Sequence, residues 1–180
     1  MITVDRMVLI GAARRDNGKT VLAEDIISRF CSAVPVAALK ISVCQGVCPR
    51  GDDGCGACSS FDGAFALSEE IQREGPKDTA RMLKAGAQQV FWLRAKPYGI
   101  FDGFRQFLSQ IDENSLIVCE SNSLREFVKP GCFIMLTGGT GSVKSSSEKF
   151  ASFADVKTAS PEGLAERLVL MQENGLAVSI

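Results

Sequence analysis

Residues Met7–Ile10 form an unbroken apolar run. It passes through Gly11-Ala-Ala-Arg-Arg-Asp-Asn-Gly-Lys-Thr20 straight into the helix-like stretch Val21–Phe30. A buried strand, a loop closing on Gly-Lys-Thr and a helix at once afterwards leave few ways to fold. This is the layout of a phosphate-binding P-loop, in which backbone N–H groups and the positive end of the helix surround a phosphate chain. Lys19 would reach the outer phosphates and the Thr20 hydroxyl would hold Mg²⁺. The nucleotide-binding set read from this segment is Arg14, Arg15, Asp16, Asn17, Gly18, Lys19, Thr20 and Val21. The full pattern G-x-x-x-x-G-K-[ST] has its first glycine where this chain has Ala13, with Gly11 two positions early. The other reading is a plain turn at Gly18 with a solvated Lys19. A lysine in the first helical turn opposes the helix dipole, however, and so calls for a reason.

Further elements set this opening in an α/β pattern. Val34–Ile41 reads as a short strand with Pro35 at its start or on an unpaired edge. Phe61–Leu67 reads as a strand or one arm of a hairpin, and Asp78 or Thr79 caps a helix to Ala85 with Gly86 after it. Val90–Leu93 is a buried strand, and Phe101–Ile111 an amphipathic helix with Phe101, Phe104, Leu108 and Ile111 on one stripe. Leu116–Cys119 ends in Glu120, Cys132–Leu136 follows as another strand, and Thr137–Ser147 reads as a flexible loop. Phe153–Val156 is a last short strand. Ser160-Pro161-Glu162 opens a C-terminal helix that buries Leu164, Leu168 and Leu170–Met171. Near-continuous apolar strands alternating with helices predict a mainly parallel sheet covered on both faces, a P-loop NTPase-like α/β fold in one domain over residues 1–180.

Composition narrows the partners. Twenty basic against twenty-one acidic residues give no field to attract nucleic acid or acidic lipid. No apolar stretch reaches the roughly 18 residues of a membrane span. The start Met1-Ile-Thr-Val-Asp-Arg lacks an export-signal plan, so the expectation is a cytoplasmic protein. Seven cysteines there point to metal or redox chemistry more than to disulfides. With no histidine in the chain, a transition metal must take thiolates, carboxylates or outside ligands.

Glu120 stands at the C-terminal tip of an apolar strand, the edge where ligands bind in such sheets. With Lys19 it forms the expected catalytic pair, and with Thr20 the expected Mg²⁺ site; the alternative is a carboxylate capping the next helix. Ser121-Asn122-Ser123 are small and polar, suited to lining a cleft. Asp16 has three roles open: holding a second substrate, holding Mg²⁺, or stabilising the turn. Arg14 and Arg15 either contact phosphate or are solvated. Cys44-x₃-Cys48-x₆-Cys55-x₂-Cys58 lies in a Gly-rich loop at about 44–58 and can converge on one Zn²⁺ or Fe–S cluster, on redox chemistry, or on nothing. Cys31, Cys119 and Cys132 fall on apolar elements and read as core.

The strand–loop–Gly18-Lys19-Thr20 opening, Lys40 at the end of the second strand, the run Lys77-Asp78-Thr79 to Ala85-Gly86-Ala87, and the Glu120 strand together resemble the molybdopterin-guanine dinucleotide biosynthesis protein B family. The resemblance covers about the first two-thirds of the chain. It implies a nucleotide-binding, often dimeric protein that assists in attaching a guanylyl group to the molybdenum cofactor, alongside other cofactor-assembly proteins. Gly18, Lys19 and Thr20 match its phosphate site and Glu120 its second acid. The chain departs from the family at Ala13, in the cysteines that replace a histidine-containing stretch after the second strand, and in having no Asn-Lys-x-Asp motif after Met135. The loop from Gly11 also resembles that of dethiobiotin synthetase-like proteins, which phosphorylate or ligate small carboxylic acids. The expectation is therefore a slow NTPase, binding GTP or ATP with Mg²⁺, in molybdenum-cofactor or metallocentre assembly. The alternatives are an ATP-dependent small-molecule kinase or ligase, and a cysteine-rich metal or cluster carrier with a relic P-loop.

Overall fold

A computed structural model describes residues 1–44, 62–143, 145–172 and 177–180. Its centre is a seven-stranded sheet. In chain order the strands are β1 (Ile2–Ala12), β2 (Val36–Val43), β3 (Phe65–Glu69), β4 (Gln89–Ala95), β5 (Leu116–Glu120), β6 (Val128–Leu136) and β7 (Val156–Thr158). Across the sheet they run β3-β4-β2-β5-β1-β6-β7. Every pairing is parallel except β3 with β4. A separate hairpin joins β8 (Val169–Met171) to β9 (Ala177–Ser179).

The two faces follow from the period of two along each strand. Val8, Ile10, Val36, Ala38, Val90, Leu116, Val118, Ile134 and Leu136 point to one side. There they meet Leu22, Ala23, Ile26 and Ile27 of α1 (Lys19–Phe30), Met82 and Leu83 of α2 (Asp78–Lys84), and Leu164 and Ala165 of α5 (Leu164–Arg167). The alternate residues Met7, Leu9, Ala37, Leu39, Phe91, Leu93, Ile117, Cys119, Phe133 and Met135 face the other side. Ile100, Phe104 and Phe107 of α3 (Ile100–Leu108) cover them, with Phe150 of α4 (Ser145–Ala151). Helices thus lie on both faces of a mainly parallel sheet, as the apolar strand pattern predicts. Among the described residues no helix is long and apolar enough to cross a membrane.

Several elements differ from the sequence expectation. The stripe of α3 is rotated: Phe104 and Phe107 are fully buried, while Phe101, Leu108 and Ile111 are only half-buried. Phe107 wins because it packs edge-on against Phe91 of β4. The C-terminal helix shrinks to the single turn α5. Its start is the left-handed Gly163, the Ser160 hydroxyl accepts the Glu162 N–H in a local turn, and Leu168 is already extended. Leu164 and Leu168 are buried as expected, but Leu170 and Met171 belong to β8, and Met171 is exposed. The last sheet strand is Val156–Thr158, not Phe153–Val156. The segment from Thr137 carries a bridge to Arg15, and its end is helical from Ser145. Cys119 and Cys132 are core residues, whereas Cys31 is half-exposed at the end of α1.

Candidate functional site

Ala13 is not among the positive-φ residues of its loop. The left-handed positions of this loop are Asp16 (φ 49°) and Gly18 (φ 82°). Gly18 is the N-cap of α1, and no side chain caps that helix end. The Leu22 N–H is taken by the Gly18 carbonyl, while an α-helix leaves its earlier N–H groups without an intrahelical partner. Those are the amides of Lys19, Thr20 and Val21, at the positive end of the helix.

The loop is held from two sides. The Arg15 and Thr140 amides donate to one another's carbonyls at 3.2 and 2.9 Å, and the Thr140 hydroxyl donates to Asp16 Oδ2. At Gly139 (φ +99°) a Cβ would come within 2.2 Å of the Arg15 carbonyl, so this clamp requires glycine. The Arg14 guanidinium donates to the Gly141 carbonyl, which turns it to the clamp and away from the cavity. Buried Asn17 donates to the Arg14 carbonyl, and its Oδ1 accepts from Lys19 Nζ at 3.4 Å.

A cavity of about 660 Å³ opens over this helix end. Arg15, Asp16, Asn17, Gly18, Lys19, Thr20 and Val21 form one wall; Lys40 and Ser42 of β2, Trp92 of β4, Glu120 of β5 and residues 77–79 and 81 complete it. These arrive together for a simple reason. On the α1/α2 face, each strand turns from apolar to polar where the helices stop: Val36 and Ala38 then Lys40 and Ser42, Val90 then Trp92, Val118 then Glu120.

Glu120 is only 3% exposed. Its Oε1 has no hydrogen-bond partner and its Oε2 lies 3.8 Å from Lys40 Nζ. Lys40 Nζ in turn is bonded to Asp78 Oδ2. Arg81 forms a two-pronged pair with Glu24 at 2.8 and 2.7 Å, which raises its pKa further and points its charge along the cavity wall. The Trp92 indole N–H donates to Ser42 Oγ at 2.9 Å.

The sequence reading singled out most of the loop wall and Glu120. It read Asp78 as a helix cap, but its carboxylate is at the site and the N-cap position is Lys77, without a side-chain cap. Ser42, Arg81 and Trp92 were not anticipated. The signal for Ser42 and Trp92 is a polar or aromatic side chain at the inward position of a strand tip, and Arg81 stands in the last turn of α2. Ser121, Asn122 and Ser123 do not line the cavity. Asn122 instead bonds the Ala12 amide and carbonyl at 2.7 and 2.9 Å, tying β5 to the end of β1, and Ser121 Oγ accepts the Leu124 N–H. Cys44 follows β2 and is half-buried; Cys48, Cys55 and Cys58 lie outside the described residues.

No protein-family model, curated protein or solved structure matches the chain.

Proposed function

We propose that the chain is a P-loop nucleotide-binding protein that takes ATP or GTP with Mg²⁺ and acts in molybdenum-cofactor or metallocentre assembly. The observation that carries the nucleotide reading is the uncapped start of α1, opening with Lys19 into a cavity whose lining includes the buried Glu120 with a partnerless oxygen. An anionic chain seated on the amides of Lys19, Thr20 and Val21 gains the helix-end field and several N–H donors at once. Lys19 adds a charge-assisted bond to the outer phosphates. The Thr20 hydroxyl, Glu120 and Asp78 are hard oxygen donors of the type that suit Mg²⁺. Mg²⁺, when bound there, neutralises phosphate charge. Lys19 and the α1 amides orient the phosphates, and Glu120, shielded from bulk water, sets the polarity where charge develops in transfer or hydrolysis. The role in molybdenum-cofactor assembly rests on the sequence resemblance.

One observation favours a second reading, the small-molecule kinase or ligase. The cavity continues past Glu120 to Ser42 and Trp92. From β1 to β4 is three strand spacings, about 14 Å at about 4.8 Å each, which leaves room for an acceptor beside the phosphates. Ser42 accepts from Trp92 and retains its own hydroxyl proton to donate.

Titration calorimetry with ATP and GTP, each with and without Mg²⁺, tests the nucleotide reading. Saturable binding of either nucleotide, strengthened by Mg²⁺ and lost in Lys19→Ala, supports it. Absence of binding by both overturns it.

A further inference from the structure

Among the described residues Glu120 is the one fully buried carboxylate. Its nearest countercharge, Lys40 Nζ, stands at 3.8 Å, beyond hydrogen-bond length, because the same ammonium is bonded to Asp78. One ammonium therefore sits within 4 Å of two carboxylates from different elements, β5 and α2, and the Arg81 charge acts on Glu120 from farther off. Buried charge is tolerated only when its partners are complete, and here Glu120 Oε1 has none. Two carboxylates facing one point, with an oxygen to spare, are matched by a doubly charged ion rather than by one ammonium.

Lys40 is also well placed to leave. It pairs directly with Glu120 in the β2–β5 register, on a flexible four-carbon stem. Two residues on, and on the same face, Ser42 lines the same cavity. An ammonium swung towards Ser42 stays within the cavity lining.

We propose that Lys40 is a tethered cation that holds the divalent-ion position between Asp78 and Glu120, so that metal loading and the departure of Lys40 are a single exchange. This rests on the reading of those two carboxylates as the metal-holding pair. The protein without metal is thereby spared two facing carboxylates that only the more distant Arg81 charge would offset. Its metal affinity before nucleotide arrives is weakened by the competing ammonium. The exchange delivers a positive charge to the Ser42 end of the cavity at the moment the metal arrives.

The test is Mn²⁺ binding to nucleotide-free protein, followed by electron paramagnetic resonance of the unbound ion. Removing the competitor should tighten binding, so Lys40→Met is expected to hold Mn²⁺ about tenfold or more tighter than the unaltered protein. Lys40→Arg keeps the charge and should stay within roughly threefold of it. Adding Asp78→Asn or Glu120→Gln to Lys40→Met should remove the gain. If Lys40→Met does not fold, Lys40→Gln carries the same expectation, since it keeps a donor to Asp78 without the charge. Unchanged or weaker Mn²⁺ binding in the neutral variant overturns the proposal, as does a gain that survives loss of both carboxylates or appears equally in Lys40→Arg. Because no nucleotide is present, the result is independent of the ATP and GTP titration. Nucleotide binding without Mn²⁺ tightening defeats the exchange alone, and tightening without nucleotide binding defeats the P-loop reading alone.

Discussion

Replacing Glu120 by glutamine should make the nucleotide-free protein more stable and the metal-loaded protein less capable. The carboxylate is 3% exposed, its Oε1 is partnerless and its Oε2 has only the shared Lys40 at 3.8 Å. Leaving a buried polar atom unpaired costs about 1–3 kcal/mol, and a charged one more. The amide keeps the shape, removes the charge and leaves Lys40 bonded to Asp78. Against this stands the lost attraction to Lys40, which is long and divided. The balance is a gain of about 1 kcal/mol, which for a chain of this length raises Tm by about 2–4 °C. On the proposed reading, Mg²⁺ loses a charged ligand in the same variant. Nucleotide affinity in chelator should therefore stay within about threefold, while the extra affinity conferred by Mg²⁺ falls by about 2–3 kcal/mol, roughly 30- to 150-fold, and turnover falls with it. Thermal melting of nucleotide-free protein and paired titrations with Mg²⁺ or chelator measure both halves. A Tm lower by more than about 4 °C, with the Mg²⁺ increment intact, would refute the reasoning: Glu120 would then be the anchor of Lys40 and nothing more.

If Lys19 makes the proposed contact to the outer phosphates, Lys19→Ala should weaken ATP and GTP by about 2–3 kcal/mol, roughly 30- to 150-fold by calorimetry. Gly139→Ala sets a Cβ 2.2 Å from the Arg15 carbonyl at a φ of +99°. It should cost about 1–3 kcal/mol in melting experiments and loosen nucleotide binding through the clamp; unchanged values of both would show the clamp to be idle. Burial, and then Glu120, pushes the Cys119 thiol well up, and burial, then Asp155, pushes Cys132 up to about 12, so neither should react with a thiol reagent at pH 8 until the chain unfolds. The stability tied to the raised Cys132 value is complete below its ordinary 9.0 and is lost as pH climbs towards about 12. The fall is about 1.4 kcal/mol per pH unit, and Cys132→Ala should remove that share of the alkaline slope while the share of Cys119 remains.

The sheet was legible because its central strands are wholly apolar, and such runs have to be buried on both faces. What escaped lies where pairing overrides local pattern. β1 extends back to Ile2 because β6 pairs Ile2, Thr3 and Val4 with Val128, Lys129 and Pro130, and the polar Asp5 and Arg6 fall in the register break between Val4 and Val8. The short C-terminal segment is divided between α5 and a hairpin because β9 brings Val178 into the core, a contact made from beyond the helical window. Ser121-Asn122 looks like cleft lining from its composition alone. The Asn122 side chain is spent instead on the backbone of Ala12, which lies 110 positions away in the chain.

The site itself was half legible, and the missing half follows from a rule the strands already obey. A strand in this sheet alternates between two helical layers, and α1 and α2 do not reach the strand tips. Every inward position beyond the last helical contact therefore faces open space, where an apolar side chain gains nothing. Carried to the tip, the period of two takes β2 from Ala38 to Lys40 and Ser42, β4 from Val90 to Trp92 and β5 from Val118 to Glu120. Lys40 and Glu120 are then neighbours by register alone. Asp78 is the part no strand pattern contains. It reaches Lys40 across 38 positions of sequence because α2 begins at the same edge of the sheet. The loop before α1 could be read locally because what it offers is backbone and helix end. The carboxylates opposite depend on which strands the topology makes adjacent. β1 lies beside β5, and β5 beside β2, so the helix end, the buried acid and its ammonium meet across neighbouring strand tips.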